Sequence, residues 1–126
     1  MIRRLSLAVA MMGAAGAAVA ESTGQSGEAL RKIISGRTIV LDTPVGGLPI
    51  LYQTNGTLSG KASGLQNLAG LKNDRGRWWI AANKVCQKWE TWLDAREYCY
   101  QMRFEGRLVH WKRSDGRTGT AKVVSQ

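Results

Sequence analysis

From residue 37 onward, apolar and polar residues alternate with a period close to two, which is the pattern of half-buried strands rather than helices. Runs at 38–42, 50–54, 57–63, 77–81, 85–89, 97–104, 107–113 and 118–124 carry this alternation. Turn-forming residues separate them. Pro44 with Gly46-Gly47 ends the first run, and Asn55-Gly56 divides the second from the third. Asn-Gly between extended segments reads as a type I′ hairpin turn, because both residues tolerate positive φ. Glu105-Gly106 and Ser114-Asp115-Gly116 mark two later reversals, with further breaks at 82–84 and 90–96. Ala82-Asn83 is not a favoured two-residue turn, so the pairing across it is the least determined.

Residues 28–35 depart from this pattern. Leu30, Ile33 and Ile34 give them one apolar side, Ser26 stands as a cap and Gly36 as a stop, which predicts a short helix. The connection 64–76 is looser, and its Leu65, Leu68 and Leu71 have the spacing of a helical turn lying over the sheet. No helical stretch long enough for a parallel crossover separates the strands. The predicted fold is therefore mainly β: a single antiparallel meander with a short N-terminal helix, closing as a half-barrel, a small barrel or a sandwich.

Taking Glu105-Gly106 as a two-residue turn pairs Phe104 with Arg107, Met102 with Val109 and Tyr100 with Trp111. Tyr98, Tyr100, Met102, Phe104, Val109 and Trp111 then share one side, while Cys99, Gln101, Arg103, Leu108, His110 and Lys112 share the other. Setting Cys86 opposite Cys99 puts Val85 and Trp89 on the apolar side and Lys84, Cys86 and Lys88 on the polar one. Two hairpins read separately thus give one sheet with a core face and a cationic face. Trp78 and Ile80 join the core, which sends Arg77 and Trp79 outward.

The first twenty residues read as an export signal rather than as part of the fold. Arg3 and Arg4 precede an uncharged stretch from 5 to 20, and Ala18-Val19-Ala20 supplies the small residues of a cleavage site. The stretch is short and weakly apolar for a membrane span. The expected organisation is a signal peptide at 1–20, a flexible leader at 21–27 and one β-rich domain at 28–126, in the periplasm or secreted, with no transmembrane span after cleavage. In such a compartment two cysteines pair, so Cys86 and Cys99 are expected to form a disulfide.

The chain holds 126 residues, with 18 Lys and Arg against 9 Asp and Glu. Cleavage removes Arg3 and Arg4 and keeps every acid, which leaves a formal charge of +7. That balance favours anionic partners, and outside the cytoplasm these are envelope lipids, acidic glycans and wall polymers. No nucleic-acid-reading motif is present, and nucleic acid is not expected as a partner. One histidine and two cysteines exclude most self-contained metal sites, and no cofactor is expected. His110 is the only histidine; Asp115 or Glu97 could orient it as a base, but no nucleophile or acid pair is placed by a motif. The glycines sit at turns, not in a phosphate-cradling loop.

Candidate binding residues therefore come from the cationic face: Arg77, Trp79, Lys84, Lys88, Arg103, His110 and Lys112. Trp92, in the 90–96 loop, joins them as an exposed aromatic. Trp78, Trp89 and Trp111 read as core.

The run Gly76-Arg77-Trp78-Trp79-Ile80, then Val85-Cys86-Gln87-Lys88-Trp89, Tyr98-Cys99-Tyr100, Gly106 and Gly116 follows Ser35-Gly36-Arg37-Thr38 and Tyr52, Asn55-Gly56-Thr57 and Gly60. Across 35–117 it resembles a family of small exported proteobacterial proteins of unknown function with a Gly-x-Trp, Cys-x-x-Trp and Cys pattern. The resemblance implies a periplasmic β domain with one disulfide and supplies no catalytic residue. The resulting expectation is a non-enzymatic module that binds an anionic envelope component or a periplasmic protein. An inhibitor of the kind that blocks lysozymes, or a wall hydrolase, are the alternatives. Positive charge counts against the former, since lysozyme-type targets are themselves basic.

Overall fold

A computed structural model describes residues 25–62 and 72–124. The signal segment, the start of the leader and the Leu65, Leu68 and Leu71 turn lie outside the described residues. Helix α1 (Gly27–Ile34) is followed by eight strands: β1 (Arg37–Thr43), β2 (Gly46–Tyr52), β3 (Thr57–Gly60), β4 (Asp74–Ala81), β5 (Lys84–Trp89), β6 (Glu97–Glu105), β7 (Leu108–Arg113) and β8 (Thr118–Val124). Each strand pairs antiparallel with the next, and β1 pairs with β8, so the sheet closes into a barrel. Of the three architectures open to the meander, the small barrel is the one formed, and closure leaves no unpaired edge.

Because strands alternate in direction, the connections fall at two ends. The 53–56, 82–83 and 106–107 turns share one end with α1, and the opposite rim carries the 44–45, 90–96 and 114–117 turns. Ser26 caps α1 by accepting a hydrogen bond from the Ala29 N–H at 3.3 Å. Leu30 and Ile34 on its apolar side are fully buried and plug the barrel floor. Burial on this scale contributes about 1.5–3 kcal/mol per side chain. Asn83 Oδ1 accepts from the Gly27 N–H at 2.7 Å, and Tyr52 O accepts from the Gly36 N–H at 2.6 Å, fixing both ends of the plug.

Four local expectations are corrected. The leader ends one residue early, since Gly27 already opens α1. The β6–β7 turn uses Gly106 and Arg107, so Phe104 pairs with Val109, Met102 with Trp111 and Tyr100 with Arg113. That slip is two residues, and a shift by two returns every side chain to its own face. At 53–56 only Gly56 takes positive φ, and the Gly56 N–H donates to Gln53 O at 3.0 Å, so the turn is wider than a type I′ pair. Conversely, Ala82 and Asn83 do form a two-residue turn with φ of 52° and 59°. The Asn83 bond to α1 and the pairing of Ala81 with Lys84 hold that backbone in place.

The disulfide joins Cys86 of β5 to Cys99 of β6, directly opposite each other on the outer wall. Inside, Leu58, Trp78, Val85 and Val123 belong with Leu30 and Ile34 of the plug to one buried core, and Tyr52 meets Trp78 edge-on at 5.6 Å.

Candidate functional site: the barrel lumen and the basic wall

The upper half of the barrel is hollow. An open cavity of about 730 Å³ runs from the rim to a floor set by Tyr52, Gln87, Tyr100 and Met102. Its walls come from inward-facing positions: Leu41 of β1, Leu48 of β2, Trp89 of β5 and Trp111 of β7. Gly119 and Ala121 supply the β8 side. Eight strands give an interior that side chains can just fill, or that holds one small ligand when some of them are small. Here Gly119 lies under the Trp111 ring, leaving no room for a Cβ, and Ala121 is buried without filling the space beside it.

At the floor, the Tyr52 hydroxyl donates to Gln87 Oε1 at 3.0 Å, and both residues are nearly fully buried. Burial, with the Tyr100 phenol nearby, pushes the Tyr52 hydroxyl far above its ordinary value, so it stays neutral. Burial likewise raises Tyr100, against the pull of Arg113.

Two structural devices hold the rim. Arg113 lies over the Tyr98 ring, 4.2 Å from its centroid. It donates from Nε and Nη2 to the two Asp115 oxygens at 2.9 and 2.7 Å. This fork holds the Asp115 carboxyl down at about 2 and raises Arg113 further. The second device is Asp74, whose Oδ2 accepts from the Thr91 and Trp92 N–H groups at 2.9 and 2.8 Å. Burial opposes its charge, but these amides and that of Arg75, with the Thr91 hydroxyl, outweigh the penalty and hold the carboxyl below its ordinary value. The loop so anchored carries Leu93, Asp94 and Ala95 at φ 57°, a left-handed stretch without glycine that stores strain.

Asp74→Ala is expected to free both amides and destabilise the protein by about 1–3 kcal/mol. The sign of the pH effect follows from the depressed value. Asp74 stabilises fully above the unfolded carboxyl value of about 3.9, and the contribution is lost as pH falls through the lower folded value. An acid titration of tryptophan fluorescence checks this: the Asp74→Ala transition should be shallower, and starting less stable, than that of the wild type.

Trp92 stands in the 90–96 loop as expected, at the mouth and apart from the cationic face, but both it and Trp79 are half-buried rather than exposed. The ring of Trp92 packs on Trp89 with centroids 4.5 Å apart, and its Nε1–H donates to Lys72 O at 3.0 Å. The Trp92 ring also occupies the place a Gly60 side chain would take.

The remaining candidates share the outer wall of β4 to β7, as the alternation predicts. Arg77 pairs with Lys88, Trp79 with Cys86, and Arg103 with His110, while Lys112 stands opposite Gln101. Lys84 lies at the lower end of the same wall. Arg77 sits 5.6 Å from the Trp79 ring centroid. His110 Nε2 lies 2.9 Å from Glu105 Oε1, not near Asp115 or Glu97, and this contact holds the Glu105 carboxyl below its ordinary value. Among the described residues the two ion pairs are His110–Glu105 and Arg113–Asp115; Arg77, Lys84, Lys88, Arg103 and Lys112 form none, although Glu105 also feels Arg103 and Glu97 stands opposite Lys88.

Gln87, Tyr52, Leu41 and Leu48 escaped the sequence reading as site residues. Gln87 did leave a signal, being a polar residue in the inward row between Val85 and Trp89. Gly119 and Ala121, small residues opposite Trp111 and Val109, left a second. No known protein family matches the chain, and neither a curated protein nor a solved structure matches it.

Proposed function

We propose that this protein is an exported, non-enzymatic binding barrel that takes one small apolar molecule into its lumen. The observation that carries the reading is the rim-open cavity of about 730 Å³, walled by aromatic and aliphatic side chains above a sealed floor. Its size lies within the range of small-molecule sites, with Tyr52 and Gln87 placing polar groups at the floor and charged and hydroxyl groups ringing the rim. Two of the charged groups on its lining are occupied structurally, Arg113 by Asp115 and Asp42 by the Thr120 hydroxyl at 2.6 Å, and the other two, Asp94 and Arg117, are exposed at the rim. Export is supported by the first twenty residues, by the resemblance across 35–117 and by the disulfide, which suits an oxidising compartment.

Nile red, a neutral apolar dye, is expected to bind the mature protein saturably at one site and to quench tryptophan emission. Ala121→Phe fills the cavity from β8 and should abolish that binding while the protein still melts cooperatively. Unchanged dye binding in this variant would remove the lumen as the site.

A second reading is favoured by the five cations gathered on the outer wall: an anionic envelope polymer docks there. Heparin binding should then weaken with salt and fall in Lys84→Glu, Lys88→Glu and Lys112→Glu, whereas Nile red binding should respond to neither.

A further inference from the structure

We infer that the lumen's ligand is an uncharged apolar molecule bearing a hydrogen-bond-accepting oxygen, of the ketone or ester type, seated against Gln87. This rests on the lumen reading above.

Gln87 is 4 % exposed and belongs to an otherwise apolar inward row of β5. Its carbonyl oxygen accepts from the Tyr52 hydroxyl, so the polar group that Gln87 has left to offer the cavity is its Nε2 amide. The Trp111 indole N–H is buried without a partner too, but it is closed off from the cavity space and takes no part. A polar side chain set among apolar ones costs stability unless its groups are met, and a leucine at position 87 would pack without that penalty. The amide is a donor, so the group that meets it is an acceptor.

Charge decides between a neutral acceptor and an anionic one. The lining carries Asp42 and Asp94 against Arg113 and Arg117, so no net field draws an anion inward. Arg113, half-buried, has both faces of its fork taken by Asp115. A carboxylate moved to the floor would lose its hydration there, while Arg117 stands exposed on the rim turn. A ketone or ester oxygen loses far less, and it gains the Gln87 amide.

The test is Nile red displacement by octane, methyl hexyl ketone and octanoate, in the wild type, Gln87→Leu and Trp111→Phe. Each probe is compared between proteins, which cancels its own solubility. Gln87→Leu should weaken the ketone roughly tenfold and leave octane unchanged. Trp111→Phe removes an N–H that the ligand does not reach, so it should not weaken the ketone relative to octane. Octanoate at neutral pH should compete least. If octane and ketone both bind but Gln87→Leu does not separate them, or if octanoate binds as tightly as the ketone, the inference falls and the lumen reading stands. If neither Nile red nor any probe binds the wild type, the lumen reading falls and takes the inference with it. Melting curves of both variants show whether a loss reflects the missing donor or a lost fold.

Discussion

Replacing both Cys86 and Cys99 by alanine is expected to lower stability by about 3 kcal/mol, the largest effect of any change on the outer wall of this barrel. The bridge closes a loop of sequence separation 13 between β5 and β6. That loop includes the rim segment with three successive left-handed residues, whose strain the native fold must hold. In the chain-entropy account the bond acts by limiting the unfolded chain, and a loop of this length is worth about that amount. For a domain near a hundred residues, the melting midpoint should fall by about 15 °C. Alanine is the better replacement, because Cys86 is almost fully buried and a serine hydroxyl would add an unpaired polar group. Denaturant melts of the oxidised wild type and the double variant measure the difference. A loss below about 1 kcal/mol would mean that the closed sheet alone holds β5 against β6, and that closure confers more than the bridge.

The comparison of pattern with structure separates what alternation encodes from what it leaves open. Period-two patterning assigns faces, and faces survive a slip of two residues. The β6–β7 hairpin was shifted by two and still placed Met102, Val109 and Trp111 inside and Arg103, His110 and Lys112 outside. The cysteine pairing was legible for a related reason, since one register puts both thiols and both flanking lysines outward together. Turn chemistry was less informative. Asn83 accepts a positive φ that its sequence context did not advertise, because its side chain is engaged by the helix plug, a contact between residues far apart in the chain.

Closure and hollowness were not legible. Whether β1 meets β8 is a non-local matter that no window of sequence contains. A filled barrel and a hollow one also share the same inward row; they differ in the summed volume of that row, which depends on which strands face each other. Gly119 against Trp111 and Ala121 against Val109 become meaningful only when β7 and β8 are paired in register. The burial of Trp92 was not legible because a loop has no period. Its position comes from the Asp74 carboxylate, which holds the backbone of Thr91 and Trp92 and turns the ring onto Trp89.

Gly76→Ala is expected to be the most disruptive single substitution in the described barrel, and to affect stability and dye binding together. Gly76 lies in β4 between Leu58 of β3 and Trp89 of β5. A Cβ there would collide with the Lys88 carbonyl oxygen and stand 2.9 Å from Trp89 Cα. Both are backbone atoms of the paired strand, so no side chain can rotate out of the way. The strands must part where Trp89 is set into the cavity wall and where the Glu90 N–H donates to Arg75 O at 2.8 Å. Overpacking relieved only by backbone movement costs on the order of 3 kcal/mol. Gly106→Ala provides the control. It has positive φ but open space around the added methyl, so it should cost only the conformational strain, about 1 kcal/mol. Melting both variants and titrating each with Nile red distinguishes the two causes. If Gly76→Ala costs no more than Gly106→Ala and binds dye like the wild type, the close approach of β4 to β5 is not what shapes the cavity wall.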